Sequence, residues 1–436
     1  LGAGQCLTFV GGEVTTREYF GLVSVEPRPS RPQRVVVDEL VGLLEASIRR
    51  CLANASNPVI PLSGGLDSRY IAAEIVRQRG RRSVPTVTWG EDRSRPHADA
   101  EIATSLAERL GLENTWHEKP QRHTEETFGR ALYLSSGESD CAIHYPDDHV
   151  LHAELADSDG FGSMFRGDEC FGATRRPLTD RAVLADNGLA PLALDPGYDR
   201  FVAGPLIEEM AREQRETLDR TISGLGSRTA TARRDEIWYR HGVRRFLGPY
   251  NRVKHTSLEV YTPLLDAAVL SWLRGVPDDL RSEKAVFRAA LDRRFPELRD
   301  IPYATASNLP RWEERARRDP AFARFLETWC EQPGWLDGIG AREAVVTAVR
   351  EMQTATRPGA VASQGPERIS LRQVIKRTWP GQLLREMTVE RRFASNIPLY
   401  LRLARLAVLH ALLAPRPAES RHADARVAAA ASGIAS

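Results

Sequence analysis

The sequence predicts an α/β protein built on a parallel sheet and followed by a largely helical C-terminal half. Three observations carry that expectation. Short apolar runs alternate with amphipathic helical patterns between residues 36 and 111, the order that gives βαβα units and a parallel sheet. Beyond about residue 185 the strand patterns give way to helical ones, among them RDEIWYRHGVRRFLG, DAAVLSWLRGV, EKAVFRAALDRRF and RLARLAVLHALL. Residues 5–25, QCLTFVGGEVTTREYFGLVSV, alternate apolar and polar around a Gly-Gly pair, which predicts a β-hairpin.

A hairpin alone does not make a domain, and the Pro- and Arg-rich EPRPSRPQR that follows reads as a linker. A new unit then starts at about residue 36, where Val37, Leu40, Leu44 and Ile48 fall on one helical face. In NPVIPLSGGLDSRYIAAEIVRQRG the apolar run Val59 to Leu62 meets a Gly-Gly turn and then a helix through Ile71, Ile75 and Val76, so the reading is strand, loop, helix. SVPTVTWG is the next strand, and a helix from Asp99 to Leu110 stops at Gly111. The last 20 or so residues lack a periodic apolar face and read as a loose tail. The expected organisation is a hairpin and linker over 1–35, one large unit over 36–415 and a flexible tail over 416–436, with no internal repeat.

Composition narrows the function. A formal net charge of +2 gives no field to recruit nucleic acid or an anionic membrane, so neither is an expected partner. The five cysteines are scattered, with no CxxC pair and no histidines at zinc-ligand spacing, so neither a disulfide framework nor a metal knuckle is indicated. No run approaches the roughly 20 apolar residues of a membrane span, and the first 25 residues lack a signal-peptide layout, which makes the cytoplasm the expected compartment. Lysines number only four, Lys119, Lys254, Lys284 and Lys376, so one placed near chemistry stands out.

The strongest motif is Ser63-Gly64-Gly65-Leu66-Asp67-Ser68, between a buried strand and a helix start. A glycine pair there lets backbone approach a phosphate, and the amides of the helix N-terminus point at the anion. The serine hydroxyls can donate to phosphate oxygens, whereas Asp67 does not favourably face a bare phosphate and so implies an intervening cation. The loop suits Mg-pyrophosphate and is not a Walker A loop, because no GK[ST] follows the glycines. A serine-rich turn that merely caps a helix is the plainer explanation of an isolated SGG, and it fits the full hexapeptide less well.

At this loop the chain resembles the PP-loop ATP pyrophosphatases of the adenine nucleotide α-hydrolase type, and within them the synthetase domain of asparagine synthetase. Four further segments match in order. Trp89-Gly90 stands where that family packs backbone against adenine, and the helix from Asp99-Ala100-Glu101 with LGLENTWHE resembles its next helix and strand. Arg166-Gly167-Asp168-Glu169-Cys170-Phe171-Gly172 is similar to its second acidic motif, and SLEVYTPLLD with LRSEKAVFRAAL is similar to its last two segments. The resemblance covers about residues 36–310.

It implies an ATP- and Mg2+-dependent, AMP-forming ligase that adenylates a carboxylate, releases pyrophosphate and passes the acyl group to ammonia or an amine. ATP would be cradled by Leu62, Ser63, Gly64, Gly65, Leu66, Asp67, Ser68, Trp89, Gly90 and Ser163. The resemblance also makes Asp67 and Asp168 the metal ligands, Glu169 their support and Lys284 the cation that steadies transition-state charge. Against these roles stand two plain ones, a helix start for Asp168-Glu169 and a solvated position for Lys284. Glu259 and Asp266 match acids that shape the site floor, and Arg69 either reaches phosphate or lies on the helix surface.

Departures from the family bear on the substrate. Phe165 occupies the position of a glutamate in asparagine synthetase and a tyrosine in β-lactam synthetase, three residues before Asp168, so acid–base chemistry from that side chain is absent. Cys6 is not the N-terminal cysteine of a glutaminase, and the hairpin instead resembles the strands that join a glutaminase-like domain to the synthetase, which implies a remnant or an upstream piece. The expected substrates are a small-molecule or peptide carboxylate and an amine or ammonia, with a separate glutaminase or peptide-delivery partner in view. With a glutaminase, the product is asparagine or a related primary amide. The alternatives are a cyclase of the lasso-peptide or β-lactam kind using an intramolecular amine, and a non-catalytic nucleotide-binding homologue; a tRNA-modifying PP-loop enzyme would require a basic face and often paired cysteines, and neither is present.

Overall fold

The computed structural model describes residues 1–2, 4–21, 31–81, 84–119, 124–138, 140–169, 171, 177, 179–187, 189, 197–198, 200–308, 319–354 and 399–413. The hairpin forms as expected, β1 (Gln5–Val10) pairing antiparallel with β2 (Glu13–Glu18). Its turn needs two left-handed residues, and Gly11 and Gly12 supply them with φ of 59° and 88°. Both strands are largely exposed, and the hairpin meets the body of the protein where Phe20 packs edge-on against Tyr239. Of the expected linker, residues 26–30 lie outside the described residues, as does the expected tail from 416 onward.

The helix read from residue 36 begins slightly earlier, as α1 (Gln33–Asn54), and buries the expected face of Val37, Leu40, Leu44 and Ile48. The central sheet follows from β3 (Pro58–Pro61), β4 (Thr86–Gly90), β5 (Asn114–Glu118), β6 (Ser163–Phe165) and β7 (Glu259–Tyr261). These five strands are all parallel, in the order β5-β4-β3-β6-β7. Between β3 and β4 runs α2 (Leu66–Arg79), and between β4 and β5 runs α3 (Asp99–Leu110), which ends on the left-handed Gly111. A strand at 259–261 within the helical half is a finding beyond the sequence reading, since three residues are too few to set up a period-2 pattern.

The order of the strands locates the site. From β3 the chain adds β4 and β5 on one side, then returns to place β6 and β7 on the other. The topology therefore switches between β3 and β6, and in such sheets ligands bind outside the carboxyl ends of the strands at the switch. One core packs α1, α2, α3 and the helix Ala285–Arg294 around the sheet. A second core joins the helices Pro320–Glu331, Arg342–Thr354 and Leu399–Leu413 with Phe128 and Leu132 of a helix at Glu125–Ser135. No described helix is long and apolar enough to cross a membrane.

The helix Asp148–Asp157 carries a buried charge cluster against the carboxyl end of β5. Lys119 is 3% exposed and forms an ion pair with Asp148, while His152 is fully buried and neither ring nitrogen has a hydrogen-bond partner among the described residues. Burial lowers the His152 pKa to about 3, so the folded protein keeps the ring neutral. Burial alone would raise Asp148, but the charge of Lys119 above all, with that of Lys254, brings it down to about 2. Between pH ~6.5 and ~3 the unfolded chain therefore binds one more proton at His152 than the folded chain does, and stability falls by about 1.4 kcal/mol per unit as pH drops. Asp148 adds to the loss only below about pH 4, where the unfolded carboxylate takes its proton first. Urea midpoints should fall less steeply from pH 6.5 to 4 in His152→Leu than in the unmodified chain, and parallel profiles would refute the assignment.

Candidate active site

The loop after β3 has its amides and hydroxyls tied into one turn. The Ser63 hydroxyl lies 3.0 Å from that of Ser68 and accepts from the Gly65 amide at 3.2 Å. The Gly64 amide donates to Asp99 Oδ1 at 2.9 Å, fixing the loop to the N-terminus of α3. Burial raises the Asp99 pKa above the usual carboxylate range, with the Gly64 amide opposing. A side chain is excluded at residue 64, because a Cβ there would stand 2.4 Å from Ala304 Cβ.

A cleft of about 340 Å³ opens beside this loop at the switch point. Ser63, Gly65, Asp67 and Ser68 form one wall, Thr88 and Trp89 of β4 a second, and Phe165 at the end of β6 with Arg166 to Asp168 a third; Leu62, Asp99 and Asn308 also line it. Of the other expected cradle residues, Gly64 and Leu66 hold the loop from behind and Gly90 packs on Asn308, where a Cβ would come within 2.4 Å of the Asn308 Cβ. Ser163 lies outside the residues that line the cleft. It starts β6, is fully buried and donates to the Ser56 carbonyl at 2.7 Å, two residues back from the end of the strand that meets the cleft.

Lys284 stands at the centre of the acidic residues. Its ammonium lies 2.9 Å from both oxygens of Asp67 and 3.0 Å from Glu169 Oε1, although it is 217 residues from Asp67 along the chain. Burial alone would lower the Lys284 pKa; Glu169 and Asp67 together hold it above its ordinary value. Burial raises Asp67 and Glu169 in turn, and Lys284 opposes both shifts. Glu169 is fixed from two further sides, its carboxylate accepting from the Phe171 amide and its carbonyl from Trp238 Nε1 at 3.0 Å. Glu283 and Lys284 both take the left-handed conformation, with φ of 55° and 56°. Two consecutive non-glycine residues there store strain, a cost that persists where the surroundings fix it and that clusters at functional sites.

Asp168 faces the same cleft from the next wall. Its Oδ1 accepts from Arg166 at 3.3 Å and its Oδ2 from Asn251 at 3.1 Å. Asp168 and Glu169 themselves lie in irregular backbone beyond the end of β6. The loops that carry Asp67 and Asp168 touch, since a Cβ on Gly167 would lie 2.6 Å from Asp67 Cβ, and the charge of Asp168 helps raise the Asp67 pKa. Among the described residues no three His, Cys, Asp or Glu side chains gather as a complete metal cage. Two carboxylates on neighbouring loops fit Mg2+ instead, an ion that commonly keeps several waters and takes few protein ligands.

Arg69 fits neither expected role. It is 1% exposed, and its guanidinium donates to the carbonyls of Ile301 at 2.8 Å and Pro302 at 2.6 Å while lying 4.3 Å from the Tyr303 ring centre. It thereby holds the start of a strap that continues through Ala304, whose amide donates to the Gly64 carbonyl, to Asn308, which accepts from the Ala100 amide. Arg69→Met should destabilise the fold by about 1–3 kcal/mol, the cost of stranding buried carbonyls, and raise the KM for ATP roughly tenfold as the strap loosens. An unchanged KM would show that the strap does not shape the cleft.

Asp266 and Glu259 stand back from this centre, Asp266 capping the helix Ala267–Leu273 and pairing with Arg50, and Glu259 at the start of β7. The sequence reading missed Asp99, Asn308, Asn251 and Trp238 as parts of the site. Asp99 carried a signal, an acid at a helix start within a matched motif; Trp238 lies in a helical pattern that gives no direction for its side chain, and Asn251 and Asn308 lie outside the named patterns. Against known families, the asparagine synthase model matches residues 39–299, a span that includes Asp67, Asp168, Glu169 and Lys284. No curated protein matches the chain.

Proposed function

The chain belongs to the asparagine synthase family, a family of ATP-dependent ligases, and from that premise we propose that it activates a carboxylate as an acyl adenylate and transfers the acyl group to an amine or ammonia. The observation that carries this reading is the convergence of Asp67, Asp168, Glu169 and Lys284 beside a serine–glycine loop that lines the cleft at the start of α2. In the first step a carboxylate oxygen bonds to the α-phosphorus of ATP, and the bond from that phosphorus to the bridging oxygen breaks, releasing pyrophosphate. In the second, the amine nitrogen bonds to the acyl carbon, AMP leaves with the electrons of the acyl–oxygen bond, and the nitrogen loses a proton.

The residues divide this work. The amides at the start of α2 would meet phosphate oxygens. Asp67 and Asp168 would hold Mg2+, which when bound neutralises charge on the departing pyrophosphate. Lys284, oriented by Asp67 and Glu169, sets a fixed positive charge beside the reacting phosphate, pre-organised in a partly buried site. Phe165 is 1% exposed and stacks on Tyr261 with ring centres 5.5 Å apart, so the wall where the family has an acid or a tyrosine offers no proton acceptor here. That favours an amine delivered as substrate over the amidation of aspartate with ammonia.

ATP–pyrophosphate exchange with Mg2+ across a panel of acids tests the reading. Exchange should appear with one class of acid and disappear in Asp67→Ala while the fold persists, because the loop geometry comes from its glycines and from Asp99. Exchange that survives in Asp67→Ala would remove the metal assignment.

A further inference from the structure

A second cavity, of about 270 Å³, opens on the far side of Trp89 and Arg166 from the ATP cleft, and those two residues line both. Its remaining walls are Tyr145, Phe246, Leu247, Tyr250, Asp148 and Lys254. The rings form a continuous surface, Tyr145 lying 5.3 Å from Tyr250, and Tyr250 5.1 Å from Phe246. Phe246 and Leu247 close a ten-residue π-helix, Trp238–Leu247, a rare geometry that is frequent at functional sites. The same π-helix begins with the Trp238 that fixes Glu169, so one element joins this cavity to the acidic centre.

The polar groups of the wall are unevenly committed. Asp148 is held by the buried Lys119, and Lys254, 2% exposed, donates to the Tyr250 carbonyl at 2.8 Å. Arg166 uses one nitrogen on Asp168, and its buried Nε has no hydrogen-bond partner among the described residues. An unpaired buried donor on a guanidinium calls for an acceptor, and a carboxylate matches its fork. The wall thus carries two cations and one already paired anion around a stack of rings. A protonated amine would meet Arg166 and Lys254 with like charge; an acid with a flat apolar body would not.

We infer that this second cavity is the acyl-donor subsite, which takes a small carboxylic acid with an aromatic body, its rings against Tyr145, Phe246 and Tyr250 and its carboxylate on Arg166. The inference rests on the adenylation reading above. Arg166 stands on the partition between the cavities, so an acid held this way presents its carboxylate toward the ATP cleft and its body away from it. The volume, below the ~300–1,000 Å³ of drug-sized sites, suits a single-ring acid rather than a folded peptide.

Titration calorimetry on the full chain without ATP tests the subsite apart from turnover, with 3-phenylpropanoate, indole-3-acetate, aspartate and phenethylamine as probes. The aryl acids should bind at least tenfold tighter than aspartate or phenethylamine. Phe246→Trp fills the cavity from a residue that is 46% exposed, so the fold should tolerate it; it should weaken the aryl acids tenfold or more and leave ATP affinity within twofold. Tyr250→Ala should weaken them as well. Preference for aspartate or for phenethylamine, or aryl-acid binding indifferent to both substitutions, would overturn the inference. Aryl acids that bind as described yet support no ATP–pyrophosphate exchange would uphold the subsite and overturn the adenylation reading.

Discussion

Lys284→Met is expected to slow pyrophosphate release by about 10²–10³-fold, the usual cost of losing one pre-organised electrostatic contact at a reacting centre. Methionine keeps the length and apolar stem of the lysine and removes only the charge. The ammonium touches both oxygens of Asp67 and one of Glu169, so its loss also leaves two carboxylates facing each other in a partly buried site. ATP affinity should change by less than about threefold, because the loop and Trp89 bind the nucleotide independently of residue 284. Lys284→Arg should not restore the rate, since a planar fork cannot occupy the point between Asp67 and Glu169 as a compact ammonium does. Rapid-quench measurement of pyrophosphate, with equilibrium dialysis for ATP, separates the two quantities. A rate within tenfold of the unmodified chain would reduce Lys284 to a structural counter-ion.

Much of the centre was legible in the sequence because its chemistry is local. Ser63 to Ser68 sits between a strand and a helix that each announce themselves by period, and the parallel sheet follows from that alternation. Lys284 was legible for a different reason, its scarcity among 60 basic residues and its register with a matched segment; its contact with Asp67 is purely tertiary. The family register reaches Ser163 but does not say which end of a three-residue strand meets the cleft, and the structure puts Phe165 there. Arg69 defeated both expectations, for helical position gives its direction but not the turn at 298–302 that covers it. Asn308 carried no signal at all, being polar in an aperiodic segment and defined only by what it clasps. The π-helix was unreadable too, since Gly242 shows its use only once the Trp238 ring is seen against it, 2.1 Å from where a Cβ would stand.

Asp235→Ala is expected to destabilise the protein by about 3–5 kcal/mol, the range for removing one partner from a buried ion network. Asp235 is 3% exposed between two guanidiniums that are themselves buried. Its Oδ1 accepts from Arg234 Nε and Nη2 at 2.9 and 2.8 Å, and its Oδ2 from Arg281, with Nε at 2.8 Å. Alanine would leave Arg281 buried without that counter-charge, at a position three residues before Lys284 and directly before the strained turn that aims it. The effect should therefore reach function, with a lowered urea midpoint and a kcat loss at nearly constant KM for ATP. Replacing both members as Asp235→Leu with Arg281→Met should cost less stability than Asp235→Ala alone, because the buried charge of Arg281 is removed along with its partner. Rate should not recover with it, since the turn bearing Lys284 loses its anchor either way. Midpoints for the single and double variants decide the matter: a double variant less stable than the single would mean that packing around Arg281, and not its charge, fixes the turn.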